Sequence, residues 1–208
     1  MKKMDVTMTL LSDTIFGNGR SIPGEEDISV LCDEKGFPYY RGSTFKGVFR
    51  EELERYVRWE GKDGAEYRDS QGENIIVRRL CGSNRGVGDN AGSMTFSDFV
   101  LPEKVRRIVL KELGENSGDD ILNACTNVRA FTRIDEGGTA AFGSLRTARC
   151  VNRGLVFVGK ISMEEEDEQM VREVLSMIRW IGTMRNRGFG KVSIVMDGGK
   201  DDKSEIQN

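Results

Sequence analysis

The sequence contains no histidine. That removes the side chain most often used as an acid or base near neutral pH, so any chemistry must rest on other groups. Its cysteines, Cys32, Cys81, Cys125 and Cys150, lie far apart with no C-x-x-C pair. A zinc finger and a disulfide framework are therefore both poor readings, and a reducing cytoplasm is the expected compartment. No apolar run approaches the ~20 residues that span a bilayer. The amino end, MKKMDVTMTLLSDTIFGNG, lacks the continuous apolar segment and small-residue cleavage site of a secretory signal. Excess positive charge is missing too: the net charge is -3 and the pI about 5.3. A surface coated in basic residues is excluded, and any nucleic-acid site has to be local.

What is present suffices for one core. With 208 residues and 38% apolar content, the chain reads as a single domain over residues 1–197 with insertions near 60–93 and 103–149. The tail GGKDDKSEIQN, residues 198–208, reads as disordered. Met4, Val6, Met8 and Leu10 alternate with polar neighbours, which predicts a first strand. Residues 12–42 form a long loop with an acidic patch at Glu25, Glu26 and Asp27 and a hairpin between the apolar runs 28–31 and 37–40. From Ser43, the spacing of Phe45, Val48, Phe49, Leu53, Tyr56 and Val57 predicts a helix. Glycine-rich loops over 60–74 and 82–93 flank a weak segment at 75–80, and 94–101 is strand-like. Residues 103–125 predict a helix broken around 115–120.

Val128 to Ile134 and Ala140 to Arg149 flank Asp135-Glu136-Gly137-Gly138, the chemistry of a hairpin turn. Leu155 to Ile161 is apolar on both faces, as a central strand is. Ser162 and Glu165 match a capping box for a second helix, with Met170, Val171, Val174, Leu175, Ile178 and Ile181 inward and Gly182 as its terminator. Val192, Ile194 and Met196 make the last strand. Without the insertions the order is βαββαβ, so the fold class is α+β with a ferredoxin-like, RRM-like core carrying loop and β-hairpin insertions. That core hosts many functions, so function must come from sites.

Three stretches could form one. In YRGSTFKGVFR, Gly42, Ser43 and Thr44 open a helix whose free N–H groups can meet an anion, while Lys46 and Arg50 lie one turn apart on one face. The plainer reading is a capped helix with solvated cations. In GTMRNRGFGKV, Gly182, Gly188 and Gly190 allow close backbone approach and Arg185 and Arg187 bring charge for a nucleic-acid backbone. A helix-to-strand turn with exposed arginines explains the same letters. In NVRAFTRIDEGG, Arg129, Phe131 and Arg133 share one face of a strand, pairing phosphate neutralisation with base stacking; an edge strand with a charged face is the alternative. Arg146 and Arg149 extend the basic character but fall on opposite faces.

Taken in order, these stretches resemble the RAMP superfamily of type III CRISPR effector complexes, specifically its repeated backbone subunit. GNGRSIPGEEDISVLCDEKGFPYYRGSTFKGVFR is similar to the family's amino-terminal segment, CGSNRGVGDNAGSMTFSDFVLPE to its glycine-rich insertion and following strand. TRIDEGGTAAFGSLRTARCVNRGLVFVGKIS resembles its isoleucine-aspartate turn leading to the central strand, and GTMRNRGFGKV its carboxyl-terminal glycine-rich loop. The resemblance implies a subunit that polymerises with copies of itself along a CRISPR RNA, beside other effector subunits, and presents complementary target RNA for cutting. It implies RNA contacts at Gly17 and Gly19 as well as at the residues above, and a thumb hairpin for which residues 127–149 are the candidate. It implies one cutting aspartate, best matched by Asp27 in DISVLCDEKGFP, with Asp33 as a turn residue. Mg2+ or a similar divalent cation would serve cleavage, held by Asp27 with Glu25 or Glu26. A subunit of the same superfamily that only binds or caps the guide shares every feature except the need for Asp27. A guide-processing ribonuclease is disfavoured by the missing histidine, and an interaction domain without RNA is the remaining reading.

Overall fold

The computed structural model describes residues 1–17, 26–83, 91–114, 117–135 and 137–197. Gly19, Glu25 and the expected tail at 198–208 lie outside the described residues. In chain order the elements are β1 (Lys2–Leu10), α1 (Gly42–Trp59), α2 (Ile75–Cys81), β2 (Thr95–Phe96), α3 (Glu103–Leu113), α4 (Gly118–Cys125), β3 (Thr126–Phe131), β4 (Arg146–Val151), β5 (Val156–Met163), α5 (Glu168–Met177) and β6 (Val192–Met196).

β2, β5, β1 and β6 form one sheet in that order, with every neighbouring pair antiparallel. Counting only β1, α1, β2, β5, α5 and β6, this is the βαββαβ order and strand arrangement of a ferredoxin-like fold. Register follows burial. Val6, Met8 and Leu10 of β1 face Phe157 and Ile161 of β5 and Val192, Ile194 and Met196 of β6 in one core, and Phe45, Phe49, Leu53 and Val57 of α1 close over it. These α1 positions recur every four residues, so a single stripe of the helix meets the sheet. Val171, Val174 and Leu175 of α5 do the same beside it. Gly159 of β5 is held to glycine by packing, since a Cβ there would lie 2.9 Å from the Phe99 ring.

Three expectations need correction. Ser162 caps nothing: it is paired with Lys3 inside β5, and a 3-10 turn over Glu165–Asp167 leads into α5 instead. α5 ends at Met177, five residues before Gly182. Ile178 and Ile181 are buried, but in extended chain, where they continued the helical spacing by coincidence. The weak segment at 75–80 is the helix α2, capped by Asn74, whose Oδ1 accepts the N–H groups of Ile76 at 3.0 Å and Val77 at 3.3 Å. α2 is tied to the core by Arg79, which grips the buried Asp167 carboxylate with both guanidinium nitrogens at 2.5 and 2.8 Å.

The insertion between β2 and β5 contributes α3, α4 and a separate two-stranded sheet, β3 with β4. This hairpin matches the expected one, with Ile134 and Ala140 bridged near its turn. Leu53 is fully buried in the α1 stripe. Leu53→Ala should lower unfolding free energy by about 2–5 kcal/mol, read by denaturant titration, and should leave the hairpin's own contacts unchanged.

Candidate nucleic-acid interface

The hairpin strand β4 organises the site. One edge pairs with β3 in register Thr126↔Val151 through Phe131↔Arg146. Its other edge takes Thr14, which exchanges two hydrogen bonds with Val151 at 2.7 and 3.0 Å, and residues 27–28, whose N–H groups donate to Thr147 O at 3.0 and 3.2 Å. The acidic segment is thus carried on the hairpin. Asp27 is exposed, and its Oδ2 accepts the Thr147 N–H at 2.7 Å. Asp33 sits in the turn that follows, its Oδ1 accepting the N–H groups of Lys35 at 2.9 Å and Phe37 at 3.0 Å while Arg106 holds its other oxygen.

Glu26 does not stand beside Asp27 as a second ligand. Its side chain is 2% exposed and turned inward to Arg149. Among the described residues, no three histidine, cysteine, aspartate or glutamate side chains come together as a metal site. The buried thiols offer no nucleophile, because burial pushes Cys150 up to about 12 and Cys81 up to about 11.

A second, small apolar cluster joins the hairpin and the glycine-rich loop. Ile15, Ala148 and Cys150 are fully buried in it, with Ile28, Phe131, Met184 and Phe189 packed around them. Phe131 meets Phe189 edge-on at 5.5 Å, and the Arg187 guanidinium stands 5.9 Å over the Phe131 ring. The glycine-rich loop and the hairpin therefore share a wall. Between them lies a groove of about 610 Å³ lined by Arg129, Phe131, Arg153, Arg187, Gly188 and Phe189, among others. Asp13 also lines it, bonded to Arg129 at 2.8 Å and to the Arg153 N–H at 3.1 Å. Burial would raise the Asp13 carboxyl, but the bonds from Arg129, the Arg153 N–H and Asn127 outweigh it and hold it below its usual value. Arg129 is thus a fixed cation, while Arg187 is exposed at the groove's rim. Arg133 lies past the last residue of β3, so the three-residue face expected from Arg129 to Arg133 stops at Phe131.

A second groove, about 1110 Å³, runs between the exposed face of α1 and residues 177–187. Arg185 approaches Glu51 across it at 4.0 Å. Two of the loop's glycines serve the chain's own backbone. A Cβ at Gly182 would lie 2.5 Å from Ile15 O, and one at Gly190 would collide with Ile181 O. Gly188, at φ +85°, has open space around it.

The start of α1 differs most from expectation. The first helical N–H, that of Gly42, is taken by Asp98, whose Oδ1 accepts it at 2.8 Å. Lys46 donates to Ala91 O at 2.9 Å and Arg50 to Gly82 O at 2.7 Å. These cations hold the two ends of the segment between residues 82 and 91 rather than standing open to an anion. Neither lines the grooves that hold Arg185 and Arg187, and Arg50 instead lines a separate one with Arg58, Asp63 and Arg68. Ser43 and Thr44 are exposed in the first turn, and Gly17 is exposed and bridged to Val30. Spacing could not reveal Asp13, Asp98, Thr147, Arg153 or Phe189 as parts of these arrangements, because each acts across a long sequence separation.

Gly42 is glycine for a packing reason. A Cβ there would collide with Phe96 O and lie 2.5 Å from Ser97 O. Although alanine is the better helix former, Gly42→Ala should destabilise the fold by about 1–3 kcal/mol, read as a lower midpoint in urea.

No curated protein matches this sequence. Among solved structures, a chain in the cryo-EM structure of the type III-B Cmr-beta bound to cognate target RNA is similar at a TM-score of 0.66 and 12% identity, covering 94% of this chain and 97% of that one. A chain in the apo-state structure of the type III-B Cmr-beta is similar at a TM-score of 0.68 and 13% identity, with the same coverage. These likenesses are of fold. The model of the RAMP superfamily matches residues 7–193, nearly the whole chain, and the protein belongs to that superfamily.

Proposed function

We propose that this protein is a CRISPR RNA-binding backbone subunit of a type III effector complex, and that it cuts guide-bound target RNA at Asp27. Membership of the RAMP superfamily supports the RNA-binding half, as does the shared fold with a chain whose complex holds cognate target RNA. Copies of the chain along the guide and other effector subunits are its partners in this reading.

The groove between the hairpin and the glycine-rich loop suits a single strand. Arg187, Arg153 and the Asp13-held Arg129 offer guanidinium charge to phosphates, and Phe131 and Phe189 offer ring surface to bases. Such contacts grip a backbone without reading its sequence, as a subunit serving any guide requires. The protein's net charge of -3 is compatible with this because the cations are gathered locally.

The observation that carries the cutting half is the posture of Asp27. It is exposed, its Oδ2 accepts the Thr147 N–H, and it is bonded to the outer edge of β4, whose partner strand β3 gives Asn127, Arg129 and Phe131 to the groove. RNA carries its own nucleophile in the 2'-hydroxyl. The protein has to align that oxygen with the phosphorus and the departing 5'-oxygen and help take its proton. When bound, a divalent cation such as Mg2+ would supply charge neutralisation at the phosphate. Asp27 fits that role as a single ligand, since Mg2+ is commonly held by one or two carboxylates together with substrate phosphates and water. Glu26 is spent on Arg149 and cannot join it.

In the reconstituted complex, Asp27→Ala should bind guide and target as the wild type does and lose target cleavage by at least about 100-fold, measured by single-turnover assay with and without Mg2+. Cutting at the wild-type rate would leave only the guide-holding role.

A further inference from the structure

Glu26 and Asp27 are neighbours with opposite fates. Asp27 looks outward, while Glu26 is buried with its Oε1 accepting from the Arg149 Nε. Arg149 is itself fixed: its Nη1 donates to Asn123 Oδ1 at the end of α4, 2.9 Å away, and to Thr126 Oγ1 at the start of β3, 3.0 Å away. A buried ion pair is weak evidence for stability, because desolvating both charges offsets their attraction. What it supplies is direction, since a planar guanidinium holds its acceptors in set geometry.

The backbone completes a clamp around Asp27. Its own N–H donates to Thr147 O at 3.0 Å, its carboxylate accepts the Thr147 N–H, and one residue on, Ile28 O accepts the Arg149 N–H at 2.9 Å. Backbone bonds to β4 hold the segment on the hairpin edge. A slip of that pairing by one residue would send Asp27 inward and Glu26 outward. The bond between Glu26 and Arg149 opposes that slip by pinning the register.

We propose that Glu26 and Arg149 are positioning residues for cleavage, locking the 26–28 segment so that the Asp27 carboxylate faces the RNA. The proposal rests on the reading of Asp27 as the cutting residue. It gives Glu26 a part in the reaction without metal or substrate contact.

The test uses the complex reconstituted with guide, comparing Glu26→Gln, Arg149→Met, the double variant Glu26→Gln/Arg149→Met and Asp27→Ala. Single-turnover cleavage at saturating target is measured beside target affinity and thermal midpoint. Glu26→Gln keeps the acceptor oxygen and should cut at nearly the wild-type rate. The double variant leaves no unpaired buried charge, so it keeps the fold accessible to measurement, and it should lose cleavage on the order of 100-fold with target affinity unchanged. Arg149→Met should lose at least as much. A folded, target-bound double variant that cuts at full rate overturns the proposal, as does a loss matched by an equal loss of affinity, which marks a purely structural pair. Glu26→Gln falling to the level of Asp27→Ala also overturns it, by placing the charge of Glu26 in the chemistry. Full activity in Asp27→Ala would instead remove the cutting reading, and the positioning role with it.

Discussion

The free edge of β4 is the constraint on which the candidate site depends. A hairpin of two strands leaves each strand with one row of unpaired N–H and C=O groups, and such rows must find partners. β4 finds them in its own chain: Thr14 just after β1, and residues 27–28 on the way to α1. The long excursion between the first strand and the first helix is thereby bound to a hairpin more than a hundred residues later. The acidic segment inherits its position from this pairing, and Asp27 can hold a defined posture although it lies in a loop.

Apolar packing then joins the glycine-rich loop to the same unit. Ile15, Ile28, Phe131, Ala148, Cys150, Met184 and Phe189 come from well-separated stretches, and none of those stretches could bury its residues alone. Their union places Arg187 above Phe131 and Arg129 beside Asp13. Positive charge is gathered locally on a protein of net charge -3, which is what the proposed grip on one strand of RNA requires. The ferredoxin-like sheet beneath serves as scaffold, with α1 and α5 covering one face and the hairpin hung from the connection between β2 and β5.

Much of this fold was legible in the sequence because it rests on local periodicity. The alternation from Met4 to Leu10, the stripe of α1 and the turn residues between β3 and β4 each announce an element without reference to the rest of the chain. Periodicity also misled where burial continued without helix, at Ile178 and Ile181, and where Ser162 offered capping letters inside a strand. α2 was missed although Asn74 gives it a cap signal. In the site, the glycines and arginines of 182–190 and the hairpin were identifiable, but their partners were not. Lys46 and Arg50 look like anion ligands until carbonyls at Ala91 and Gly82 are seen to hold them. Glu26 looks like a companion to Asp27 until Arg149 turns it inward. Both depend on contacts between distant segments, which spacing does not encode.

The central claim is that a local groove on an acidic protein holds single-stranded RNA by its backbone. The most direct measurement is affinity of the protein, with its partner subunits, for single-stranded RNA across a salt series. The account predicts affinity falling steeply and linearly on a log–log plot, with similar values for unrelated sequences and a shallower slope for Arg187→Ala, by roughly one phosphate contact. RNA affinity that is absent, or indifferent to salt, would contradict it.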